Sequence, residues 1–282
     1  MSVFEDYDRT SRHYDRTRVP VGAEIILGCL ARHAKPLNEL AVLDAGCGTG
    51  AYSRAIVDRV GRIDAIDLSE GMLAQARAKL APQAAAGRVR FHRGSIADLP
   101  FAAGSFDAAM INQVVHHLGD TAEDGFSRLR RVVGEFARVL RPGGVLVFNH
   151  CSQEQLRHAY WYHDLIPRAQ EAMCRRFAPL ETLRAIFEAA GFVNRGGFVP
   201  VDAVCQGEAY FEGRGPLRKA WRDGDSIWAL VEEGELSQAL ARVRALDAAG
   251  RLEAFVAEHD ARRPSIGQVT FLFATRAEAA AA

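Results

Sequence analysis

Ala41-Val42-Leu43-Asp44-Ala45-Gly46-Cys47-Gly48-Thr49-Gly50 is an apolar run that stops at three alternately spaced glycines, and Ala51 to Val60 then carries a helical pattern. A strand that turns through glycine into a helix exposes unpaired backbone N–H groups and lets a ligand approach the main chain closely. The spacing Gly46-x-Gly48-x-Gly50 differs from the G-x-G-x-x-G turn, whose extra residue fits a pyrophosphate. Asp44, just before the turn, suits a cationic ligand such as a sulfonium amino acid and disfavours a pyrophosphate. Alone, such a turn also reads as an ordinary strand–helix connection. Asp67 narrows the choice: it stands about 20 residues on, at the tip of the next strand, where a carboxylate accepts both hydroxyls of a ribose.

Outward from this turn, short apolar runs alternate with helical patterns from Leu40 to Phe148, which predicts βαβ units and a parallel sheet. Strands are expected at Ala41 to Leu43, Arg62 to Ile66, Val89 to His92, Phe106 to Asn112 and Val145 to Asn149. Ser69 is placed to cap a helix over Glu70 to Leu80. A helix over Ser127 to Leu140 should stop at Arg141-Pro142-Gly143-Gly144, which cannot continue it. Past His150, the stretch Cys151 to Phe177 is rich in aromatic and histidine residues, Pro179 to Ala190 reads as a helix, and Gly191 to Val204 as turn plus strand. Gly207 to Arg263 is mostly helical, amphipathic from Leu236 to His259, before a closing strand in Gln268 to Thr275. The division expected is N-terminal lid helices at 1–36, an α/β core at 37–205 and 265–276 with 151–178 as its substrate-side segment, and a helical insertion or cap at 206–264.

Five motifs stand in order: Val42 to Gly50, Asp67-Leu68-Ser69 with Met72-Leu73, Leu99-Pro100-Phe101, Ser105-Phe106-Asp107, and Leu140 to Gly144. Together, between Leu40 and His150, they resemble the motifs of class I, Rossmann-like S-adenosylmethionine-dependent methyltransferases of the small-molecule type. The resemblance implies a seven-stranded, mostly parallel sheet of order 3-2-1-4-5-7-6 with its last strand antiparallel, and S-adenosyl-L-methionine as cofactor; the helical cap is read from the pattern of 206–264. It implies that Asp44, Gly46, Gly48 and Gly50 line the methionine moiety, that Asp67 holds the ribose, and that Leu68 and Met72 pack near the adenine, with Ser95 and Ile96 beside it. Many members carry an aspartate after the glycine corresponding to Gly94; Ser95 offers an uncharged acceptor instead. Asn112 is implied to meet the cofactor, and Gln113 the bound substrate. Tyr14, with Tyr7 and Arg18, resembles the lid segment in which a tyrosine covers the cofactor; from the residues alone it also reads as a surface helix with exposed aromatics.

Methyl transfer from a sulfonium is an in-line displacement, so the protein chiefly holds nucleophile and methyl carbon in attack geometry and excludes water. A base is needed only if the nucleophile arrives protonated. His116 and His117 follow the fourth strand and Asn149 with His150 the fifth, at the carboxyl edge where open α/β sheets bind ligands. His150, His116 and His117 are therefore the catalytic candidates, each also readable as a capping or packing residue. Tyr160, Trp161 and His163 are substrate-binding candidates with Gln113; rings with polar tips suit a small polar acceptor or a cation, although some must be core. Arg175 can pair with a substrate carboxylate or simply lie exposed.

The 35 basic and 35 acidic residues cancel, which removes any whole-protein electrostatic argument for nucleic acid. Cys29, Cys47, Cys151, Cys174 and Cys205 are scattered and form no C-x-x-C pair, pointing to a reducing compartment and away from a metal cage. No apolar run approaches the ~18 residues of a membrane span. The expectation is a cytoplasmic methyltransferase of a small-molecule oxygen, nitrogen or sulfur acceptor, monomeric or homodimeric, with no metal, nucleic-acid or membrane partner. The alternative keeps the fold without the chemistry, as a non-catalytic S-adenosylmethionine-binding protein with a regulatory or interaction role. The glycine spacing argues against an oxidoreductase.

Overall fold

β1 (Ala41–Ala45) is buried at every position, as a strand covered on both faces must be. It pairs in parallel with β2 (Arg62–Asp67) on one side and β4 (Phe106–Asn112) on the other. β3 (Val89–Arg93) extends the sheet beyond β2, and β5 (Leu140–His150) beyond β4. β7 (Thr270–Arg276) runs antiparallel between β5 and β6 (Phe192–Phe198), which completes the order β3-β2-β1-β4-β5-β7-β6. This is the sheet that the motif order implies. The structure, a computed structural model, describes residues 19–278, so Tyr7, Tyr14 and Arg18 lie outside the described residues.

Strand side chains alternate between two cores with a period of two. Val42, Ala65, Ala108, Met110, Val145 and Val147 face one layer; Leu43, Ile66, Ala109, Ile111, Leu146 and Phe148 face the other. The first layer takes residues from α1 (Ala23–Leu30), α2 (Ala51–Ile56) and α3 (Glu70–Lys79), which leads into α4 (Ala81–Ala85). The second is closed by α5 (Ser127–Val139), whose Leu129, Val132, Val133, Phe136 and Val139 recur at helical spacing. After β5 come α6 (Gln153–His158), α7 (Pro167–Arg176) and α8 (Leu180–Ala189), the last packed on β6 and contributing to the second core. Between β6 and β7 the chain makes short 3-10 turns and α9 (Lys219–Arg222), α10 (Glu233–Ala248), α11 (Leu252–Asp260) and α12 (Arg263–Ile266). Tyr210, Trp221, Trp228, Val243 and Phe255 of this segment join the first core. Among the described residues no helix is long and apolar enough to cross a membrane.

The stretch Leu236 to His259 spans two helices, separated where Gly250 takes φ 66, a left-handed turn that ends α10. One local reading is corrected. The helix expected to include Leu140 ends at Val139; Leu140 instead pairs with Phe106, and the Pro-Gly-Gly turn is an irregularity inside β5. Gly143 has φ 74, and a Cβ on Gly144 would lie 2.7 Å from the Arg141 carbonyl oxygen, so both positions need glycine.

Candidate functional site

The ladder registers align one row across the carboxyl edge of the sheet. Asp67 is opposite Arg93, Asn112 opposite Asn149, and Gly46 follows Ala45, which pairs with both Ile66 and Ile111. Gly46 is thus flanked by Asp67 and Asn112. Gly46, Gly48 and Gly50 have φ of 72, 53 and 76, all left-handed. A Cβ on Gly46 would approach Val114 Cγ2 to 2.6 Å, whereas one on Gly48 would meet nothing within 4 Å, so Gly48 borders open space. Gly50 packs against Ala76 and Leu80, which seats the helix start on α3.

The acids around this turn are buried and partnered. Asp67 accepts from the Gly48 amide at 2.8 Å and the Ser69 amide at 2.9 Å; burial nevertheless raises its carboxyl above the usual range. Asp44 accepts from Ser53 Oγ at 2.6 Å, and burial pushes it up to about 7 despite that donor, with the Asp67 charge adding to the rise. Asn112 is the outlier: its Oδ1 and Nδ2 are both buried without a protein hydrogen-bond partner. Leu68 is 38% exposed at the tip of β2, while Met72, whose amide caps onto Ser69 Oγ, is buried. Ser95 Oγ already accepts from the Ala97 amide at 3.2 Å, and Ile96 is buried beside it.

Next to this row lies a cavity that opens to solvent. It gathers Gln113, His116 and His117 from the end of β4 with Cys151, Leu156, Tyr160 and His163 from the segment after β5. Met173 and Phe177 close one side, and Asp225, Ser226 and Ile227 reach in from the segment between β6 and β7. Gln113 is held at φ 56, a conformation that a non-glycine residue adopts only when its surroundings compel it. Its Nε2 donates to Asn149 Oδ1 at 2.8 Å, and Cys151 Sγ donates to its Oε1 at 3.4 Å. Asn149 Nδ2 donates in turn to the Tyr52 hydroxyl of α2, so polar contacts run from the glycine turn's own helix to the cavity wall. His116 stacks on Phe177 and lies 3.3 Å, through Nε2, from Ser226 Oγ.

Of the expected acceptor-side residues, the structure brings Gln113, His116, His117, Tyr160 and His163 to one cavity. His150, Trp161 and Arg175 are placed elsewhere. His150 is buried against Phe177 with Nε2 donating to the Ala178 carbonyl at 2.8 Å; burial lowers it to about 4, and it does not line the cavity. Trp161 is wholly buried and donates Nε1–H to the Tyr210 carbonyl at 2.7 Å, which makes it core. Arg175 is exposed on α7. Sequence reasoning missed Asp225 and Ser226. Their only signal is local: Asp225 caps the turn Ser226–Leu230 by accepting from the Ile227 amide.

A family model described as a methyltransferase domain matches residues 43–148. The malonyl-[acyl-carrier protein] O-methyltransferase of Erwinia pyrifoliae is 34% identical over 67% of the chain and 64% of its own length. The demethylmenaquinone methyltransferase of Lactiplantibacillus plantarum is 31% identical over 54% of the chain and 70% of its own length. The chain thus spans less than two thirds of the first of these relatives. A solved structure from Anabaena variabilis, described as a methyltransferase of an antibiotic biosynthesis pathway, superposes with a TM-score of 0.71 at 22% identity, covering 92% of the chain and 98% of that structure. At that identity the likeness speaks for the fold.

Proposed function

The chain belongs to the class I S-adenosylmethionine-dependent methyltransferases, and on that premise we propose that it binds S-adenosyl-L-methionine at the β1 turn and methylates a small molecule in the adjoining cavity. The observation that carries this reading is Asn112. A buried amide with neither polar atom paired is costly, and it sits in the row with Gly46 and Asp67, where a ligand would satisfy it. Gly48 leaves the main chain open to approach, Asp67 offers a ribose its carboxylate, and Asp44 offers a cation its charge. When bound, the cofactor supplies a methyl group on a positively charged sulfur. The protein's share is to hold the acceptor beside Gln113 and exclude water; His116 and His117 are within the same wall to take a proton where the nucleophile carries one. In this reading residues 206–264 act as the cap, supported by Asp225 to Ile227 in the wall, and the five buried thiols support a reducing, cytoplasmic setting.

Calorimetry with S-adenosylmethionine and S-adenosylhomocysteine tests the binding, and failure of both to bind overturns the proposal. Labelled methyl transfer into a metabolite extract tests the chemistry; binding without transfer would leave the non-catalytic role. Asn112→Leu separates site from scaffold. Replacing an unpaired buried amide by an apolar group of similar size should leave the thermal midpoint unchanged or raised, while cofactor binding weakens by roughly 1–3 kcal/mol.

The pH dependence of binding has a defined sign. In the free protein Asp44 keeps its proton up to about 7, whereas a nearby cation favours the carboxylate. Binding therefore expels a proton below that pH, so affinity should rise as pH increases towards about 7 and level off above it. Without ligand the raised carboxyl works against folding: stability should fall as pH climbs from the ordinary aspartate range to about 7. Asp44→Asn should flatten both slopes, and titrations at several pH values read them out; an unchanged affinity slope would place the cation elsewhere.

A further inference from the structure

One side of the cavity's polar wall, formed by Tyr160 and His163, has its protons already committed. The Tyr160 hydroxyl donates to the Gln268 carbonyl at 3.2 Å, and since a carbonyl only accepts, the phenol proton is committed there. His163 Nδ1 lies 2.7 Å from the Leu156 carbonyl, which by the same reasoning places the ring proton on Nδ1 and leaves Nε2 with a lone pair. Burial lowers the basicity of His163. The two rings stack at 4.6 Å with 14° between their planes, so they form one buried surface with two lone-pair acceptors. Asp225 adds a carboxylate and Phe177 an aromatic face, and no lysine or arginine lines the cavity among the described residues. A carboxylate or phosphate entering here would meet no lysine or arginine, only the neutral donors of Ser226, His116 and His117, together with the Asp225 charge; an N–H group would meet the acceptors of Tyr160, His163 and Asp225.

We propose that the methyl acceptor is a small amine, that Tyr160 Oη and His163 Nε2 accept its N–H groups, and that Asp225 attracts its charge. This rests on the methyltransferase reading. In the transfer, the bound ammonium first gives one proton to solvent; the amine lone pair then forms the N–CH3 bond as the S–CH3 bond breaks, the sulfur leaves with that electron pair as a neutral thioether, and the positive charge of the N-methylated ammonium product stays opposite Asp225. Phenethylamine and phenylacetate, matched in ring and chain length, test the preference by calorimetry on the full chain saturated with S-adenosylhomocysteine. The amine should bind about tenfold tighter or better, and Tyr160→Phe and Asp225→Asn should each narrow the gap. Equal or tighter binding of phenylacetate, or a gap that neither variant moves, overturns the proposal. If a variant fails to fold, the wild-type comparison decides. Failure of S-adenosylhomocysteine to bind counts against the methyltransferase reading instead, and the amine comparison repeated without it still decides what the cavity prefers.

Discussion

Gly46→Ala should lose cofactor binding and fold stability together. The residue sits at φ 72, where a side chain costs about 1–2 kcal/mol. The added Cβ would also lie 2.6 Å and 2.8 Å from the two Val114 methyl carbons, so Val114 or the turn must shift. Val114 directly follows Gln113, itself held at φ 56, and precedes the His116 and His117 of the cavity wall. The strain therefore spreads into both halves of the site. A combined loss of roughly 3 kcal/mol corresponds to about a hundredfold in affinity, read by calorimetry beside a denaturant midpoint. Val114→Ala in the same chain should restore part of the loss by clearing the clash and leave the φ cost. Gly48→Ala makes the contrast: its Cβ meets nothing in the protein, so stability should fall only by the backbone cost of about 1–2 kcal/mol, while affinity falls further because the methyl fills ligand space. Equal behaviour of the two variants would mean that Gly48 does not border the ligand.

The same residues explain what the sequence could disclose. The glycine turn was legible because three left-handed positions admit few residue types, and the sheet order followed from motifs that recur at fixed places on it. Two of those motifs prove to be clamps rather than ligand contacts. Asp107, on the far edge of the sheet from the row, accepts from the Ala41 amide, Lys35 Nζ and Arg141 Nη1 and ties the start of β1 to β4 and β5. Leu99 and Phe101 are held to α5 through Glu135 and Arg138. The acceptor side was less legible, because a histidine reads alike whether it lines a cavity or fills a core. His150 and His163 are both almost fully buried and both bonded to a carbonyl, yet only His163 faces the cavity. That difference depends on how α7 and the segment after β6 pack, a long-range outcome absent from local pattern.

Trp161 carries the sharpest version of that ambiguity, and Trp161→Ala should be among the most destabilising single changes in the chain. The indole is fully buried, edge-on to Tyr162 and Phe255 and tilted against Trp221. Its Nε1–H satisfies the Tyr210 carbonyl at 2.7 Å, and its backbone amide donates to the Tyr210 hydroxyl oxygen at 3.3 Å. Removing the ring opens a large cavity, which typically costs about 3–5 kcal/mol. Stranding the Tyr210 carbonyl adds roughly 1–3 kcal/mol. Against a total stability of about 5–15 kcal/mol for an ordinary domain, that is enough to depopulate the native state near body temperature. Trp161→Phe keeps most of the ring contacts and loses the hydrogen bond, so it should fold with a midpoint lowered by the smaller of these costs. Its folded fraction should bind phenethylamine as the parent does, since Trp161 lies behind the Tyr160–His163 wall and not in it. A Trp161→Phe protein that kept its midpoint but lost amine binding would instead place the indole in contact with the acceptor.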